Sequence, residues 1–320
     1  MGPRKPARPQ PAAKLPARGQ ITVVAEGTVA AALRTAFPGY SWAQVRRLCT
    51  TGKIAVGGEV RLDPALPLRV GTEVDWDMNR ADPGRAAMPD FKIVFEDSQL
   101  IIVDKPQGIS SVPYDRHETN TALDHIRKIW RAQGRQATAQ PLFTVHRIDK
   151  DTSGLLCFAK TKLAERGMHR IFKNHLADRM YFAVAHGEVT PGRIESNILA
   201  DRGDGIRGTN RRSTEGQRSV THVFLQERLR GATLCKIRLE TGRTHQIRIH
   251  LSERGHPLVG ETVYIRDLRR AGGREIPSRR LLLHAATLGF EHPVSGQRLF
   301  FESPLPPDFA EALSALRVGG

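Results

Sequence analysis

A short charged segment contains the residue of this chain best suited to chemistry. Residues 146–154 read HRIDKDTSG, and residues 155–159 (LLCFA) have the composition of a buried strand. The segment therefore predicts a loop that enters a sheet and carries Asp149. Between Arg147 and Lys150 the carboxylate of Asp149 is expected to stay ionised, which suits a nucleophile or a base. On polarity alone, a charged surface turn is the alternative interpretation.

A second segment combines cationic side chains with helical spacing. Residues 240–251 read ETGRTHQIRIHL, and Gly255 follows a few residues later. Thr244 is predicted to cap a helix that ends near Gly255. Arg248 would then lie near the start of this helix and point at whatever the helix start faces.

The histidines and cysteines lack the spacing of a metal site. His245 and His250 are separated by five positions, whereas a helical zinc pair is separated by four. Cys49, Cys157 and Cys235 lie far apart and form no CxxC pair, so neither a disulfide framework nor a zinc site is predicted. We therefore expect no metal, and this use of cysteine suits a reducing cytoplasm.

Two further segments are informative only in combination with the first two. Residues 179–187 (RMYFAVAHG) predict a strand, on which Tyr181 is either a core residue or a surface for stacking a base. Residues 281–285 (LLLHA) predict a short apolar strand, for which core packing is the simplest interpretation. Neither segment indicates a function by itself.

In their order along the chain, the four segments resemble those of the RluA family of pseudouridine synthases. The matching motifs are HRIDKDTSG, RMYFAV, TGRTHQIRIHL and LLLHA, and DKPQGI at residues 104–109 is similar to the family's leading segment. The resemblance covers residues 91–305. It implies an enzyme that isomerises specific uridines in structured RNA to pseudouridine and needs neither a cofactor nor a metal.

The resemblance implies a role for five residues. Asp149 matches the catalytic aspartate, and Arg147 matches an arginine that engages the flipped nucleotide. Tyr181 matches the tyrosine that stacks on the target uracil, Arg248 the arginine paired with the carboxylate, and Leu283 an apolar residue of the base pocket. The reaction rejoins the uracil to the sugar through C5, so the base must first leave its stack. Whether Asp149 attacks the nucleotide or removes a sugar proton stays open.

The charge of the chain indicates a polyanionic partner. Lys plus Arg total 49 and Asp plus Glu total 33, a formal net charge of +16. The resemblance favours RNA, with large-subunit (23S) ribosomal RNA first and transfer RNA second. A non-catalytic RNA-binding or ribosome-assembly protein is the main alternative, and the presence of Asp149, Tyr181 and Arg248 argues against it. A DNA-binding regulator would need a helix-turn-helix or dimer pattern, which the sequence does not show.

Composition divides the chain into four parts. Residues 1–19 combine Pro, Ala, Arg and Lys without an acid, which predicts a disordered basic tail that either contacts RNA phosphates or only aids solubility. Residues 20–78 form a compact segment, and residues 79–90 form a polar linker with Pro and Gly. Residues 91–320 are predicted to be the catalytic domain.

The compact segment at residues 20–78 resembles the alpha-L RNA-binding motif of ribosomal proteins and RNA-modifying enzymes. A helix is predicted over residues 30–37, and Ser41 is predicted to cap a second helix. A strand–turn–strand pattern follows at residues 53–62, and a last strand is predicted at residues 70–74.

Arginines predict where RNA is contacted. Arg46 and Arg47 lie on the second helix of the alpha-L-like segment. The loop after Leu199 is unusually rich in arginine and includes Arg211 and Arg212. We expect all four arginines to bind phosphates of the substrate.

The catalytic domain alternates strands with helices. The predicted elements are a hairpin at 92–104, helices at 121–133 and 162–176, and strands at 155–159, 181–185, 220–226 and 233–239. We predict an α+β protein: a pseudouridine synthase catalytic fold with a mostly antiparallel mixed sheet and flanking helices, preceded by a small α+β alpha-L domain. No apolar run approaches the roughly 20 residues of a membrane span, and no secretory signal is visible. A cytoplasmic monomer that binds RNA but neither membrane nor DNA is expected.

Overall fold

The protein divides into two compact units, Met1–Met88 and Pro89–Gly320. The computed structural model describes residues 16–80, 91–113, 118, 120–136, 140–203, 206–209 and 215–317. Most of the predicted tail and of the predicted linker therefore lies outside the described residues. Arg211 and Arg212 lie outside them as well.

The described part of the first unit is a small α+β structure. Its elements are β1 (Arg18–Thr22), β2 (Gly27–Thr28), α1 (Val29–Ala36), α2 (Trp42–Thr50), β3 (Ile54–Val56), β4 (Glu59–Val60), β5 (Pro67–Leu68) and β6 (Glu73–Asp77). Four strands form an antiparallel sheet in the order β1-β6-β3-β4, and β2 pairs with β5. The core of this unit is apolar and includes Val29, Leu33, Val45, Ile54 and Val74, all fully buried.

Local sequence signals account for the helix starts and the hairpin of this unit. The predicted cap of α2 is confirmed, because the Ser41 hydroxyl accepts from the Gln44 amide and the Gln44 side chain accepts from the Ser41 amide. The predicted hairpin of β3 and β4 is also present. Gly57 and Gly58 both have positive φ in its turn, which glycine adopts without strain.

Two boundaries in this unit differ from the predictions. The last strand begins at Glu73, because Gly71 adopts a positive φ in a turn that precedes it. The expected disordered tail, residues 1–19, is too long, since β1 begins at Arg18 and pairs with β6. Gly19 lies directly against the Trp76 ring, where an added Cβ would come within 2.1 Å of the indole. This long-range pairing with β6 has no local signal in the basic composition of the tail.

The second unit contains one large sheet with helices packed on it. Its elements are β7 (Lys92–Glu96), β8 (Leu100–Lys105), α3 (Ala122–Ala132), β9 (Phe143–Thr144), β10 (Ser153–Ala159), α4 (Lys162–Lys173), β11 (Asp178–His186), β12 (Gly192–Leu199), β13 (Gly208–Thr209), β14 (Gln217–Leu229), β15 (Ala232–Leu239), α5 (Gln246–Glu253), α6 (Arg266–Arg270), β16 (Leu283–Glu291), β17 (Arg298–Glu302) and α7 (Pro307–Arg317). The predicted α+β class and the mostly antiparallel sheet are confirmed. No helix among the described residues is long and apolar enough to cross a membrane.

The strand order explains how distant sequence motifs meet. The main path runs β13-β12-β14-β15-β11-β16-β10-β8-β7, with β17 on β16 and β9 on β10. Within the described sheet only the β10–β16 pairing is parallel. Because parallel strands start at the same edge, the loop before β10 and the segment before β16 lie side by side. Antiparallel β11 then places Tyr181 opposite Ala285 of β16.

Gly154 makes the parallel contact between β10 and β16 sterically accessible. It pairs with Ala285 and has φ of +111°, a region that favours glycine. A Cβ at this position would lie 2.2 Å from the Ala285 carbonyl oxygen. The glycine of the HRIDKDTSG motif is therefore required by the close approach of two strands directly beside the loop.

Strand β10 is buried on both faces, as the sequence predicts. Leu156 and Phe158 pack into a core that also contains Trp130 of α3. Leu155 and Cys157 pack on the opposite face, in a core that α4 also joins. Because core residues pack on both faces of β10, this strand is held rigidly in the sheet and anchors the loop that precedes it.

The helix of the second motif starts differently from the prediction. Thr244 is not the cap of α5; His245 occupies that position with φ of +60°, and no side chain caps the helix. The Gln246 side chain instead fixes the segment before the helix, since its Oε1 accepts from the Arg243 amide at 3.0 Å and from the Thr241 hydroxyl at 2.8 Å. The predicted end of the helix near Gly255 is confirmed.

Candidate active site

The loop that carries Asp149 is fixed by a second loop. Ser111 bonds to both sides of Ile148: its hydroxyl donates to the Ile148 carbonyl at 2.7 Å and accepts from the Ile148 amide at 3.2 Å. The Gly108 amide donates to the Lys150 carbonyl at 2.8 Å. The backbone on both sides of Asp149 is therefore held by the segment that contains the DKPQGI motif.

Lys105 connects the two loops through hydrogen bonds to their backbone carbonyls. The side chain is completely buried, and Nζ donates to the carbonyls of Pro106 at 3.0 Å, Ile109 at 2.7 Å and Lys150 at 3.2 Å. Burial lowers the pKa of Lys105 to about 7, while the negative charges of Asp151 and Asp149 act in the opposite direction. In the sequence Lys105 stands out only as part of the DKPQGI motif. Its three partners are backbone carbonyls, which every residue type carries, so the residue types do not reveal this contact.

Arg248 is buried beside Asp149, but a different residue holds it. Its Nη1 lies 3.9 Å from Oδ2 of Asp149, so the predicted pairing is present at long distance. Glu261 is the close partner and accepts from Nε and Nη2 of Arg248 at 2.7 Å each. Burial lowers the pKa of Arg248, but the hydrogen bonds and charge of Glu261, with Asp149 behind it, raise that pKa above its ordinary value.

Glu261 was missed by the sequence analysis. Its side chain is fully buried, and Oε1 also accepts from the amides of Thr262, Val263 and Tyr264 at 3.0, 2.9 and 3.3 Å. Burial raises the pKa of Glu261, and the hydrogen bonds from Arg248 outweigh this and lower it. Glu261 thus fixes the Arg248 guanidinium through two bonds and leaves its third nitrogen facing Asp149.

Asp149 is held in place without hydrogen bonds to its carboxylate. Its side chain is 15% exposed. Among the described residues no donor is hydrogen-bonded to either oxygen, and Arg248 is the nearest cation. A carboxylate oriented by a charge at 3.9 Å, with its oxygens available, is suited to react with a substrate.

Tyr181 and apolar side chains form walls of the same cleft. Tyr181 lies on β11 and is 7% exposed. Burial raises the pKa of Tyr181, and the charge of Asp149 adds to this effect. The tyrosine is therefore a neutral phenol at ordinary pH. The cleft is lined by Arg147, Ile148, Asp149, Thr152, Arg179, Tyr181, Leu239, Gly242, Arg243, Thr244, His245, Gln246, Ile247, Arg248 and Leu283.

The structure brings together the predicted site residues of the second unit. Arg147, Asp149, Tyr181, Arg248 and Leu283 all line this cleft. Arg147 is exposed at the cleft, whereas Leu283 is buried in its wall. They come from four separate parts of the chain. The pairing of β16 with β10 and with β11 brings three of these parts together, and α5 supplies Arg248.

Of the remaining predicted binding residues, two lie on the first unit and two lie outside the described residues. Arg46 and Arg47 lie exposed on α2 of the first unit, where the prediction placed them. Arg211 and Arg212 lie outside the described residues. Their contacts with RNA stay predictions.

The two histidines of the second motif bond to protein groups. Nδ1 of His245 lies 2.8 Å from the Tyr264 hydroxyl. Nε2 and Nδ1 of His250 lie 2.8 Å from the Ser196 hydroxyl and 2.9 Å from the Thr221 hydroxyl. Among the described residues no group of His, Cys, Asp and Glu is arranged to hold a metal ion.

A buried polar network supports the start of β10. The Ser153 hydroxyl accepts from Nη2 of Arg280 at 2.6 Å and lies 3.0 Å from Nδ1 of His284. Nε2 of His284 lies 3.1 Å from the carbonyl of Ser303. Because a carbonyl only accepts, Nε2 carries the proton and Nδ1 accepts from Ser153. Burial lowers the pKa of His284, which agrees with this neutral form.

Comparisons with known proteins identify the class to which this fold and site belong. The family described as RNA pseudouridylate synthase matches residues 99–253. The solved structures titled Human RNA Pseudouridylate Synthase Domain Containing 1 and Domain Containing 4 share the fold, with TM-scores of 0.57 and 0.53 and 23% identity each. They cover 71% and 70% of this chain and 89% and 92% of their own.

Curated relatives match over longer stretches. The RNA pseudouridine synthase YlyB of Bacillus subtilis (strain 168), itself described as uncharacterized, is 38% identical over 72% of this chain and 74% of its own length. Ribosomal large subunit pseudouridine synthase D of Zymomonas mobilis is 34% identical over 86% of this chain and 89% of its own. The enzyme of the same name from Vibrio cholerae is 34% identical over 88% of both chains.

The chain belongs to the RNA pseudouridylate synthase family, and the predicted resemblance to its RluA branch is confirmed. It is therefore an RNA-modifying isomerase. The matched region contains Asp149, Tyr181 and Arg248, whereas Leu283 lies beyond it.

Proposed function

We propose that this protein isomerises specific uridines of 23S ribosomal RNA and that Asp149 is the catalytic carboxylate. The observation that carries the assignment is the state of Asp149 in the cleft: its oxygens accept no hydrogen bond among the described residues, and Arg248 faces it at 3.9 Å. The curated relatives named as large-subunit pseudouridine synthases support ribosomal RNA as the substrate. Transfer RNA is the second candidate of this proposal.

Each of the five predicted site residues in the cleft has a proposed part in the reaction. The flipped uracil stacks on Tyr181, against the apolar wall that includes Leu283, and Arg147 at the exposed rim engages the nucleotide. Arg248, fixed by Glu261, faces the Asp149 carboxylate and orients it. Stacking and phosphate contacts offset the cost of unstacking the base, which is roughly a few kcal/mol.

The bond changes need no external reactant. The C1′–N1 bond breaks, uracil turns within the cleft, and C1′ bonds to C5. The hydrogen of C5 leaves as a proton, and N1 gains a proton, so the product is an isomer of the substrate. Asp149 assists either by attacking the nucleotide or by removing a sugar proton. No step transfers electrons to a second molecule, which agrees with the expectation of no cofactor.

The first unit is proposed to be an alpha-L RNA-binding domain that captures the substrate. Its two helices and small hairpin, with Arg46 and Arg47 exposed on α2, support this assignment. Exposed arginines bind RNA phosphates without reading sequence, which suits a capture module. We place the protein in the cytoplasm, where ribosomal RNA is made and modified in bacteria, and expect it to act as a monomer.

The substrate is tested by mapping pseudouridines in total RNA from cells with and without this gene. We expect at least one site in 23S ribosomal RNA to disappear without the gene and to return when the wild-type gene is restored. Loss of a transfer RNA site with an unchanged ribosomal pattern would contradict the ribosomal assignment.

Asp149 is tested by Asp149→Asn. The substitution keeps the shape of the side chain but removes its charge, so the fold and RNA affinity should be retained while turnover falls below detection. Tritium release from [5-³H]uridine-labelled RNA measures turnover. Near-normal release by the variant would show that Asp149 is not the catalytic group and would favour another carboxylate or a non-covalent role.

A further inference from the structure

Arg179 is a buried cation on the wall of the candidate active site. It lies on β11, two residues before Tyr181, so both side chains are on the same face of the strand. Only 8% of Arg179 is exposed. It lines the same cleft as Asp149 and Tyr181. The mechanism described above does not use it.

Arg179 has no counter-charge among the residues that the structure describes. Within the described residues its guanidinium donates one hydrogen bond, from Nη2 to the Glu240 carbonyl at 3.2 Å, and forms no ion pair. Its Nε is buried without a partner. The nearest ring is Phe172, whose centroid lies 5.5 Å from Cζ. Burial lowers the pKa of Arg179, as expected for a cation removed from water without a carboxylate.

The second buried arginine of the cleft shows the contrast. Arg248 is equally buried but has the bidentate carboxylate of Glu261. A buried guanidinium without such a partner destabilises the free protein, because desolvation of its charge is not compensated. An anion that enters the cleft with the substrate would remove this cost.

Gly242 indicates that space is kept for this guanidinium. A Cβ at position 242 would lie 2.8 Å from Nη1 of Arg179. The backbone of Gly242 is not in the left-handed region, so its conformation does not require glycine. A side chain at position 242 would therefore make the end of the Arg179 side chain shift from its present position.

We propose that Arg179 binds a phosphodiester of the flipped nucleotide and so positions the uridine whose base stacks on Tyr181. This inference rests on the proposed function of the cleft. The planar guanidinium donates two parallel hydrogen bonds to a phosphate, and the phosphodiester is the anionic group of a nucleotide. The uracil is neutral and would leave the charge of Arg179 uncompensated. Arg179 and Tyr181 occupy neighbouring positions on the same face of β11, about 7 Å apart. This spacing lets Arg179 bind the phosphate while Tyr181 stacks on the base of the same nucleotide.

The test uses the full-length protein and [5-³H]uridine-labelled total RNA from cells that lack this gene, which contains the target whichever RNA it is. Single-turnover tritium release is measured with enzyme in excess across a KCl series. For Arg179→Met we expect the half-saturating enzyme concentration to rise about 10- to 100-fold, as for one lost charged hydrogen-bond contact. The log–log salt dependence should become shallower by roughly 0.7–0.9, the signature of one lost phosphate contact. The saturated rate should change little.

Thermal unfolding separates phosphate binding from a structural role. Arg179→Met should not lower the unfolding midpoint of the free protein, because it removes an uncompensated buried charge. Arg179→Lys keeps the charge but not the two-pronged geometry, so it should keep the salt slope and weaken half-saturation. Arg317→Met is the matched control: Arg317 is an exposed arginine paired with Glu227, and its loss should alter neither quantity.

Gly242→Ala provides a second route to the same result. It displaces the guanidinium without removing the charge, and it should also raise the half-saturating concentration. The proposal is overturned if Arg179→Met leaves the salt slope and half-saturation unchanged, or if Arg317→Met shifts the slope equally. Failure of the proposed function appears differently, as tritium release that persists in Asp149→Asn.

Discussion

The residue that fixes Arg248 can be tested with one isosteric change, Glu261→Gln. In the wild type, Oε2 of Glu261 accepts from Nε of Arg248, and Oε1 accepts from Nη2 and from three backbone amides. A glutamine oxygen at Oε1 would keep those four donors. Its amide nitrogen would then face Nε of Arg248, donor against donor. The substitution therefore removes the charge and one hydrogen bond without changing the shape of the site.

The expected cost follows from the burial of both partners. Side chains of Glu261 and Arg248 are 0% and 3% exposed. Removing one partner of such a pair costs about 3–5 kcal/mol, because the remaining charge is buried without compensation. At 2–4 °C per kcal/mol for a domain of this size, the melting temperature should fall by roughly 6–20 °C. The saturated single-turnover rate should also fall, since the Arg248 nitrogen that faces Asp149 is no longer fixed.

Thermal unfolding and single-turnover tritium release measure these two effects on the same protein. The matched control is Glu227→Gln, whose partner Arg317 also donates from Nε and Nη2 but at the surface, with 35% and 47% of the two side chains exposed. An exposed pair contributes only about 0–1 kcal/mol, so the control should melt close to the wild type. If Glu261→Gln melts and reacts like this control, the reasoning that Glu261 positions Arg248 is wrong.

Three further results are expected. The double variant Arg248→Met, Glu261→Gln should lose less free energy of unfolding than the sum of the two single variants, because it contains no buried charge of the pair without its partner. Additive losses in unfolding experiments would argue against a coupled pair. Removal of residues 1–78 should raise the half-saturating enzyme concentration and leave the saturated rate unchanged. The log–log slope of half-saturation against salt concentration should become shallower by roughly 0.7–0.9 for each lost phosphate contact. A large fall in the saturated rate would mean that the first unit shapes the active site. Glu96 is bonded to Arg135 and Lys160. Burial raises the pKa of Glu96, but these bonds outweigh that effect and lower the pKa to about 2, below its ordinary value of 4.5. Its stabilisation is therefore present above pH 4.5 and lost as the pH falls towards 2, so Glu96→Gln should cost on the order of 3 kcal/mol at pH 7 and progressively less below pH 4.5; an equal cost at pH 7 and pH 3 in denaturant titrations would contradict this.

Features with local causes could be predicted from the sequence. The capping box of Ser41, the two-glycine turn at Gly57-Gly58 and the apolar run before residue 160 each depend on neighbours within a few positions, and all three are present in the structure. The motif residues Asp149 and Arg248 were found because their spacing resembles a family pattern. The structure places them in one cleft.

Features with distant causes could not be predicted. Strand β1 forms because it pairs with residues more than fifty positions away. The basic composition of the tail therefore gave no indication of a strand there. Thr244 is a residue type typical of a helix cap, but His245 takes the cap position in a left-handed conformation, and the Gln246 side chain accepts from the Arg243 amide. Local propensity was overridden by the geometry of the site in this case.

The sequence by itself determined the family, the cap of α2 and the glycine turn of the first hairpin, because motifs and caps are properties of neighbouring residues. The tertiary structure alone decided which charges are compensated. Lys105 is satisfied by three carbonyls and Arg248 by Glu261, whereas Arg179 is buried with no carboxylate from the described part of the chain. The physical reason is that the cost of a buried charge depends on what lies within a few ångströms in space, and the parallel pairing of β10 with β16 brings together residues more than a hundred positions apart.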